Sequence, residues 1–160
     1  MKKLLFALIL SLFFTGPALA NGPDKGKPAP NLMGRTFDGK LYRLSKYKGR
    51  PKVINFFWIY CKPCKEEMPE LAALEKKYPN VDFISVHTEE MAQEKIEAFM
   101  KKLSGAPSKV VMSTSSVKKQ FQFRGLPFTT LLDKNNKVKL NLTGYTEANM
   151  RKLEKALKGL

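Results

Sequence analysis

Two cysteines, Cys61 and Cys64, are the residues whose type and spacing point most directly to chemistry. A disulfide that closes so short a loop restricts the unfolded chain little, so stability is a poor reason for keeping the pair. Zinc needs four protein ligands in a structural site and three in a catalytic one, whereas the sequence has no third cysteine and a single histidine, His87. We therefore predict thiol–disulfide exchange at Cys61-Lys62-Pro63-Cys64, with no metal and no cofactor beyond the redox-active cysteine pair.

The predicted elements on either side of this motif assign a role to each cysteine. Residues 52–59 form a near-continuous apolar run typical of a strand buried on both faces, and residues 63–78 carry apolar residues at helical spacing. Cys61 would then lie at a helix N-terminus, where unpaired N–H groups and the helix dipole stabilise a thiolate. We predict that Cys61 attacks a partner and that Cys64, one turn further in, resolves the mixed disulfide. Lys62, a neighbouring cation, and Pro63, which stiffens the first helical turn, are expected to tune the site.

The rest of the chain predicts one α/β domain with helices on both faces of a mixed sheet. Asp38-Gly39 is typical of a hairpin turn, and the order after this hairpin is β, α, β, α, β, α, β, β, α. The later strands are predicted at 81–87, 108–112, 128–133 and 137–143, and the later helices at 91–103, 115–123 and 146–157. We expect the domain to cover residues 32–160, after a flexible lead-in over residues 21–31 that is rich in Gly, Pro and Lys.

Residues 1–20 have the pattern of a secretory signal peptide. Lys2 and Lys3 precede an apolar run, Leu4–Phe14, and Ala18-Leu19-Ala20 supplies the small residues of a cleavage site. The apolar run is shorter than the roughly 20 residues that a membrane-spanning helix needs. We therefore expect an exported, periplasmic protein, with an uncleaved membrane anchor as the alternative.

The chain is strongly basic, with 29 Lys and Arg against 14 Asp and Glu and a formal net charge of +15. In an exported protein this charge favours acidic partners or an anionic membrane surface over nucleic acid. The lysines are scattered, however, and a solvated surface without any partner accounts for them as well. We predict a monomer that does not bind nucleic acid.

With these residues in view, the chain resembles the thioredoxin superfamily and, within it, the TlpA/ResA-like exported reductases of cytochrome c maturation. Three segments carry the resemblance: residues 53–57 (Val-Ile-Asn-Phe-Phe), 61–71 (Cys-Lys-Pro-Cys-Lys-Glu-Glu-Met-Pro-Glu-Leu) and 124–133 (Arg-Gly-Leu-Pro-Phe-Thr-Thr-Leu-Leu-Asp). It implies a thioredoxin fold with an N-terminal β-hairpin and a central helix–strand insert over residues 93–113. It also implies exported client proteins, apocytochrome c among them, and a membrane electron donor of the DsbD/CcdA type.

The resemblance also assigns residues outside the motif. Pro127 aligns with a proline that is cis and faces the cysteines, where the backbone of Leu126 would pair with an extended client segment. Glu67 aligns with an acidic residue that shuttles protons beneath the disulfide, the alternative being a solvated glutamate on the helix surface. Asn55 stands where typical thioredoxins carry a buried aspartate, which leaves Glu67 as the acid–base candidate and Asn55 as a tuning residue. Tyr60 replaces a tryptophan of the family pattern beside the docking groove, so it is a candidate substrate-binding residue.

Alternative functions stay open at this stage. A reductase is favoured over a DsbA-like oxidant, because such oxidants carry a larger helical insertion and a histidine where Pro63 stands. A non-enzymatic binding or chaperone-like module would use the groove beside Pro127. A Sco-like copper protein would need three residues between its cysteines and a matching histidine. We instead expect His87, at the end of the second predicted strand, to be an edge residue and not a catalyst.

Overall fold

The computed structural model describes residues 21–160, so the predicted signal peptide lies outside the described residues. Seven strands form one mixed sheet in the order β2-β1-β5-β4-β3-β6-β7. The strands are β1 (Met33–Thr36), β2 (Leu41–Arg43), β3 (Lys52–Phe57), β4 (Asp82–His87), β5 (Lys109–Met112), β6 (Phe128–Leu132) and β7 (Val138–Thr143). The helices are α1 (Lys62–Lys77), α2 (Gln93–Lys101), α3 (Ser116–Gln120) and α4 (Glu147–Lys158), and a 3-10 turn covers Leu44–Lys46. The predicted α/β class and the order of its elements are confirmed.

Strand β3 lies in the middle of the sheet and leads directly into the cysteine motif. It pairs in parallel with β4 and antiparallel with β6. All six of its residues are buried, as the apolar run predicted. The N-terminal hairpin of β1 and β2 joins the sheet through β5, with Arg35 opposite Met112. Helix α2 and strand β5 form the predicted insert.

The two faces of the sheet are covered unequally. Helices α1, α2 and α4 cover one face, where Val53 of β3 packs with Leu71 of α1 and Leu153 of α4. The short helix α3 lies on the other face, where Phe121, directly after it, packs against Phe56. Strand β3 is therefore held from both sides, which fixes the position of the residues that follow it. Among residues 21–160, no helix is both long enough and apolar enough to cross a membrane.

Residues 21–31 differ from the predicted flexible lead-in, because they lie against the domain. The N–H of Gly22 donates to the carbonyl of Gln122 at 3.0 Å, and the N–H of Gly26 donates to the carbonyl of Val138 at 2.7 Å. Gly22 is buried, and both glycines have positive φ, 108° and 82°. The two glycines allow the chain to turn as it runs alongside the edge strand β7. Residues 21–31 have the composition of a mobile linker, but their hydrogen bonds place the start of the folded domain before residue 32.

Candidate functional site

The cysteine motif forms a disulfide at the N-terminus of α1. Cys61 is the N-cap residue, and its Sγ accepts a hydrogen bond from the N–H of Cys64 at 3.3 Å. The two Cα atoms are 5.3 Å apart and the sulfurs are bonded. Cys64 is fully buried, whereas Cys61 is partly exposed. Of the two sulfurs, that of Cys61 is therefore the one a protein partner can reach.

The first turn of α1 favours negative charge on Cys61. Lys62 and Pro63 occupy its first positions, both exposed, and this turn contains no acidic residue. Pro63 has no N–H, and at this point of a helix none is needed. The dipole of the helix and the N–H of Cys64 therefore act on the Cys61 sulfur without a competing carboxylate, which stabilises a thiolate there after reduction.

Glu67 lies one turn after Cys64 and is buried, with 3% of its surface exposed. Asn55 Nδ2 donates to Glu67 Oε2 at 2.6 Å and to Thr129 Oγ1 at 3.0 Å. The hydroxyl of Thr129 donates to Glu67 Oε1 at 3.3 Å. The alternative of a solvated surface glutamate is therefore wrong, and the predicted tuning residue Asn55 contacts Glu67 directly.

The surroundings of Glu67 bring the pKa of its carboxyl group close to neutral pH. Burial raises the pKa of Glu67 to about 7, opposed by the hydrogen bonds from Asn55 and Thr129, which lower it. The charge of Glu70 adds a smaller upward contribution to this pKa. A carboxyl group with a pKa near the working pH can both give and take a proton.

Thr129 is a site residue that the sequence analysis missed. It stands directly opposite Asn55 in the antiparallel ladder of β3 and β6, so the two side chains lie on the same face of the sheet. Its position two residues after Pro127 is a weak sequence signal for it. The pairing of β6 with β3 is needed to show that Thr129 faces Asn55.

The loop before β6 presents a backbone edge beside the cysteines. The Leu126–Pro127 peptide bond is cis, as the resemblance implied, and the carbonyl of Pro127 accepts a hydrogen bond from the N–H of Gly144 at 2.8 Å. Leu126 packs against the apolar cluster that contains Cys64, and Cys61 packs against the same cluster. Within residues 21–160, neither the N–H nor the carbonyl of Leu126 has a hydrogen-bond partner. This backbone is therefore available to pair with an extended chain.

Two exposed aromatic side chains precede Cys61. Trp58 is 37% exposed and Tyr60 is 63% exposed, and their rings meet edge to face with centroids 5.0 Å apart. Ile59 between them is buried, so the backbone alternates and places both rings on the outside. Tyr60 was predicted at this position, whereas Trp58 was not assigned to the site. The pair gives the surface beside Cys61 an apolar patch.

His87 ends its strand as predicted, but the expectation of an edge residue is wrong, because the side chain lies in the core. It ends β4, which is flanked by β3 and β5, and its side chain is fully buried. Its ring meets the Phe57 ring edge to face, and Nδ1 lies 2.9 Å from the carbonyl oxygen of Glu89. Burial lowers the pKa of His87, so the neutral imidazole is favoured. In residues 21–160, no three His, Cys, Asp or Glu side chains are grouped to hold a metal ion.

Comparisons with known proteins agree with this geometry. The AhpC/TSA family model matches residues 25–156, a span that contains the cysteine motif and the proline loop. Thiol-disulfide oxidoreductase ResA of Bacillus cereus is 30% identical over 98% of this chain and 96% of its own length. ResA of Geobacillus thermodenitrificans is 31% identical over 74% of this chain and 69% of its own length.

A solved structure from Chlorobium tepidum, described as a thiol:disulfide interchange protein DsbE, has the same fold. It superposes with a TM-score of 0.77 at 22% identity, covering 85% of this chain and 96% of that one. The chain therefore belongs to the AhpC/TSA family and, within the thioredoxin superfamily, to the TlpA/ResA-like thiol–disulfide oxidoreductases.

Proposed function

We propose that this protein is an exported thiol–disulfide reductase that reduces disulfides of client proteins. The observation that carries the proposal is the pairing of a reachable Cys61 with a buried Cys64 one turn from Glu67. This arrangement supplies a nucleophile, a resolving thiol and a group that exchanges protons near neutral pH. The insert of one helix, α2, and one strand, β5, supports a reductase over an oxidant with a large helical insertion.

The reaction would proceed in two exchanges. The Cys61 thiolate attacks a client disulfide, so a Cys61–client bond forms and the second client sulfur leaves as a thiolate that takes up a proton. The Cys64 thiol then loses its proton to Glu67 and attacks the Cys61 sulfur. This step forms the Cys61–Cys64 disulfide, breaks the Cys61–client bond and releases the remaining client sulfur as a thiolate that takes up a proton. Two electrons pass from the protein dithiol to the client, and a dithiol donor at the membrane restores the reduced pair by the reverse exchange.

The proline loop would hold the client during these steps. Leu126 offers an N–H and a carbonyl without partners in the described residues, next to the cluster that contains the disulfide. An extended client segment could add to this edge through main-chain hydrogen bonds, which do not depend on the client sequence. Such binding suits an enzyme that acts on several proteins.

The location and the partners belong to the same proposal. The pattern of residues 1–20 supports export to the periplasm by a cleaved signal peptide, with a membrane anchor as the alternative. The resemblance to reductases of cytochrome c maturation supports apocytochrome c as one client and a DsbD/CcdA-type protein as the electron donor. We propose that the protein works as a monomer, with the cysteine pair as its only redox group.

The deciding experiment traps the client. In the Cys64→Ala variant the mixed disulfide on Cys61 cannot be resolved, so we expect client proteins bound through a bond that dithiothreitol breaks. The Cys61→Ala/Cys64→Ala variant is the control and should capture none. Equal capture by both variants would contradict the proposal and favour a non-enzymatic binding module.

A second measurement tests the direction of electron flow. Equilibration of the cysteine pair with glutathione should give a reduction potential near that of thioredoxin, about −270 mV. A value of about −120 mV, typical of DsbA, would show that the protein is an oxidant.

A further inference from the structure

We propose that the surface around Cys61 selects acidic client segments, in which carboxylates flank the target cysteine. This inference rests on the proposed function and names the class of client that the same site takes. The surface, which we call the docking rim, consists of Trp58, Tyr60, Lys62, Lys65, Arg124 and the backbone of Leu126.

Three cations of the docking rim have no acidic partner. Lys62, Lys65 and Arg124 are exposed, and none of them forms a salt bridge or a side-chain hydrogen bond with any residue in 21–160. Lys62 directly follows Cys61, and the N–H of Lys65 donates to the carbonyl of Cys61 at 3.3 Å. Exposed unpaired cations next to the nucleophile attract an approaching anionic group and raise its association rate.

The Lys65 side chain lies over an aromatic ring at the edge of the apolar cluster that contains Cys64. Its Nζ lies 5.7 Å from the centre of the Phe99 ring, and both Phe99 and Cys61 pack against that cluster. Arg124 is exposed and lies two residues before Leu126, in the loop before β6. A client segment paired with Leu126 would therefore lie near exposed cations contributed by α1 and by this loop.

Most acidic residues of α1 have partners outside the docking rim. Glu70 accepts a hydrogen bond from the hydroxyl of Tyr145, and the charges of Glu70 and Glu66 raise the pKa of that hydroxyl. Glu67 is buried beneath the helix. Glu75 accepts hydrogen bonds from Ser108, and the half-buried Glu70 is held by Tyr145. Three of the four glutamates of α1 therefore have partners outside the docking rim, and Glu66 is the exposed one.

The aromatic pair supplies the second half of the selection. Trp58 and Tyr60 are two of the six large apolar or aromatic side chains that are exposed within residues 21–160. The docking rim therefore combines aromatic rings with cations. A client segment that binds to both carries an apolar residue together with acidic ones. Aromatic rings at a wet interface provide contact area at a low cost in conformational entropy.

The test compares two peptide substrates with the reduced enzyme. Both contain one cysteine as a mixed disulfide with 2-mercaptoethanol and an extended apolar sequence. One carries two Asp on each side of the cysteine and the other two Lys. At low ionic strength we expect the acidic peptide to be reduced at least tenfold faster than the basic one, and the ratio to shrink towards one at about 0.5 M salt, where charges are screened.

Charge reversal in the docking rim should abolish this preference. In the Lys65→Glu/Arg124→Glu variant we expect the ratio of the two rates to fall at least tenfold. Because each ratio compares two substrates of one enzyme, a change in the reactivity of Cys61 cancels. The matched control, Lys139→Glu/Lys152→Glu, makes the same change in net charge at exposed positions of β7 and α4, and should keep the ratio of the unsubstituted protein.

Hydroxyethyl disulfide, a small neutral substrate, separates the two proposals. If the enzyme reduces neither this disulfide nor the peptides, the proposed function fails. If it reduces hydroxyethyl disulfide and both peptides at a ratio near one, the reductase stands and the acidic preference is overturned. An equal fall of the ratio in both double variants would also overturn it, because the preference would then come from the net charge of the whole protein.

Discussion

Asn55 and Glu67 are joined by a buried hydrogen bond of 2.6 Å between Asn55 Nδ2 and Glu67 Oε2, which links the central strand β3 to helix α1. Asn55 is neutral, so it orients the carboxylate without adding a charge. The effect of burial on the pKa of Glu67 therefore exceeds that of the hydrogen bonds from Asn55 and Thr129, and burial raises this pKa to about 7. The same bond connects the core of the sheet to the helix that carries both cysteines.

The raised pKa of Glu67 predicts a pH-dependent stability. In the unfolded chain the carboxyl has its ordinary pKa of 4.5, so its protonated form favours the folded state. This contribution is complete below pH 4.5 and is lost as the pH rises to about 7, which lowers the free energy of unfolding by about 3 kcal/mol. In denaturant titrations of the oxidised protein at pH 4.5 and 8, the free energy of unfolding should therefore fall by about 3 kcal/mol more than in Glu67→Gln, which lacks this contribution. Equal pH dependence of the two proteins would contradict the prediction.

Thr129 is predicted to hold the pKa of Glu67 down. Its hydrogen bond to Oε1 favours the ionised carboxylate, so Thr129→Val should raise the pKa of Glu67 above 7. Carbon-13 NMR of the Glu67 carboxyl measures this directly, and in the reductase assay the inflection of the pH–rate profile should move the same way. Thr130→Val is the matched control, because the buried Thr130 hydroxyl has no partner in the described residues. A similar shift in both variants would exclude a specific role for Thr129.

Tyr60 is predicted to bind clients rather than to take part in the chemistry. Because the Tyr60 ring is exposed, its removal should not change the reactivity of the two sulfurs. The Tyr60→Ala variant should therefore reduce hydroxyethyl disulfide at the rate of the unsubstituted protein. Peptide substrates should react roughly fivefold more slowly, equivalent to about 1 kcal/mol of lost aromatic contact. Tyr47→Ala removes another exposed tyrosine and should affect neither reaction. Equal slowing of both substrates by Tyr60→Ala would instead assign Tyr60 to the reacting cysteines.

Gly22 is predicted to anchor residues 21–31 to the domain. A Cβ on Gly22 would lie 2.6 Å from Cζ of Phe128, and its φ of +108° disfavours any side chain. We expect Gly22→Ala to lower the free energy of unfolding by about 2–4 kcal/mol. Gly26→Ala introduces comparable backbone strain, but no atom lies within 4 Å of the new Cβ. It should lower the free energy of unfolding by only about 1 kcal/mol. Equal costs in thermal or denaturant unfolding would show that the segment is not packed at Gly22.

The fold was largely predictable because its signals are local. The buried run of β3, the apolar spacing of α1 and the turn residues between strands each depend on neighbours a few positions away. Boundaries differed from the prediction by one or two residues in most elements, as at β3, which ends at Phe57 rather than residue 59. The edge position expected for His87 was wrong because the neighbours of a strand in a sheet are set by chain topology, not by the strand itself.

The amino-acid sequence by itself determined the cysteine chemistry and the α/β class, since the spacing of Cys61 and Cys64 and the periodicity of the elements around them are properties of short segments. Only the tertiary structure decided that Asn55 and Thr129 meet at Glu67, because those contacts join positions 12, 62 and 74 residues apart. It also decided that residues 21–31 pack along β7. A redox motif is a local pattern, whereas the burial and the hydrogen bonds that set a carboxyl pKa come from segments brought together by folding.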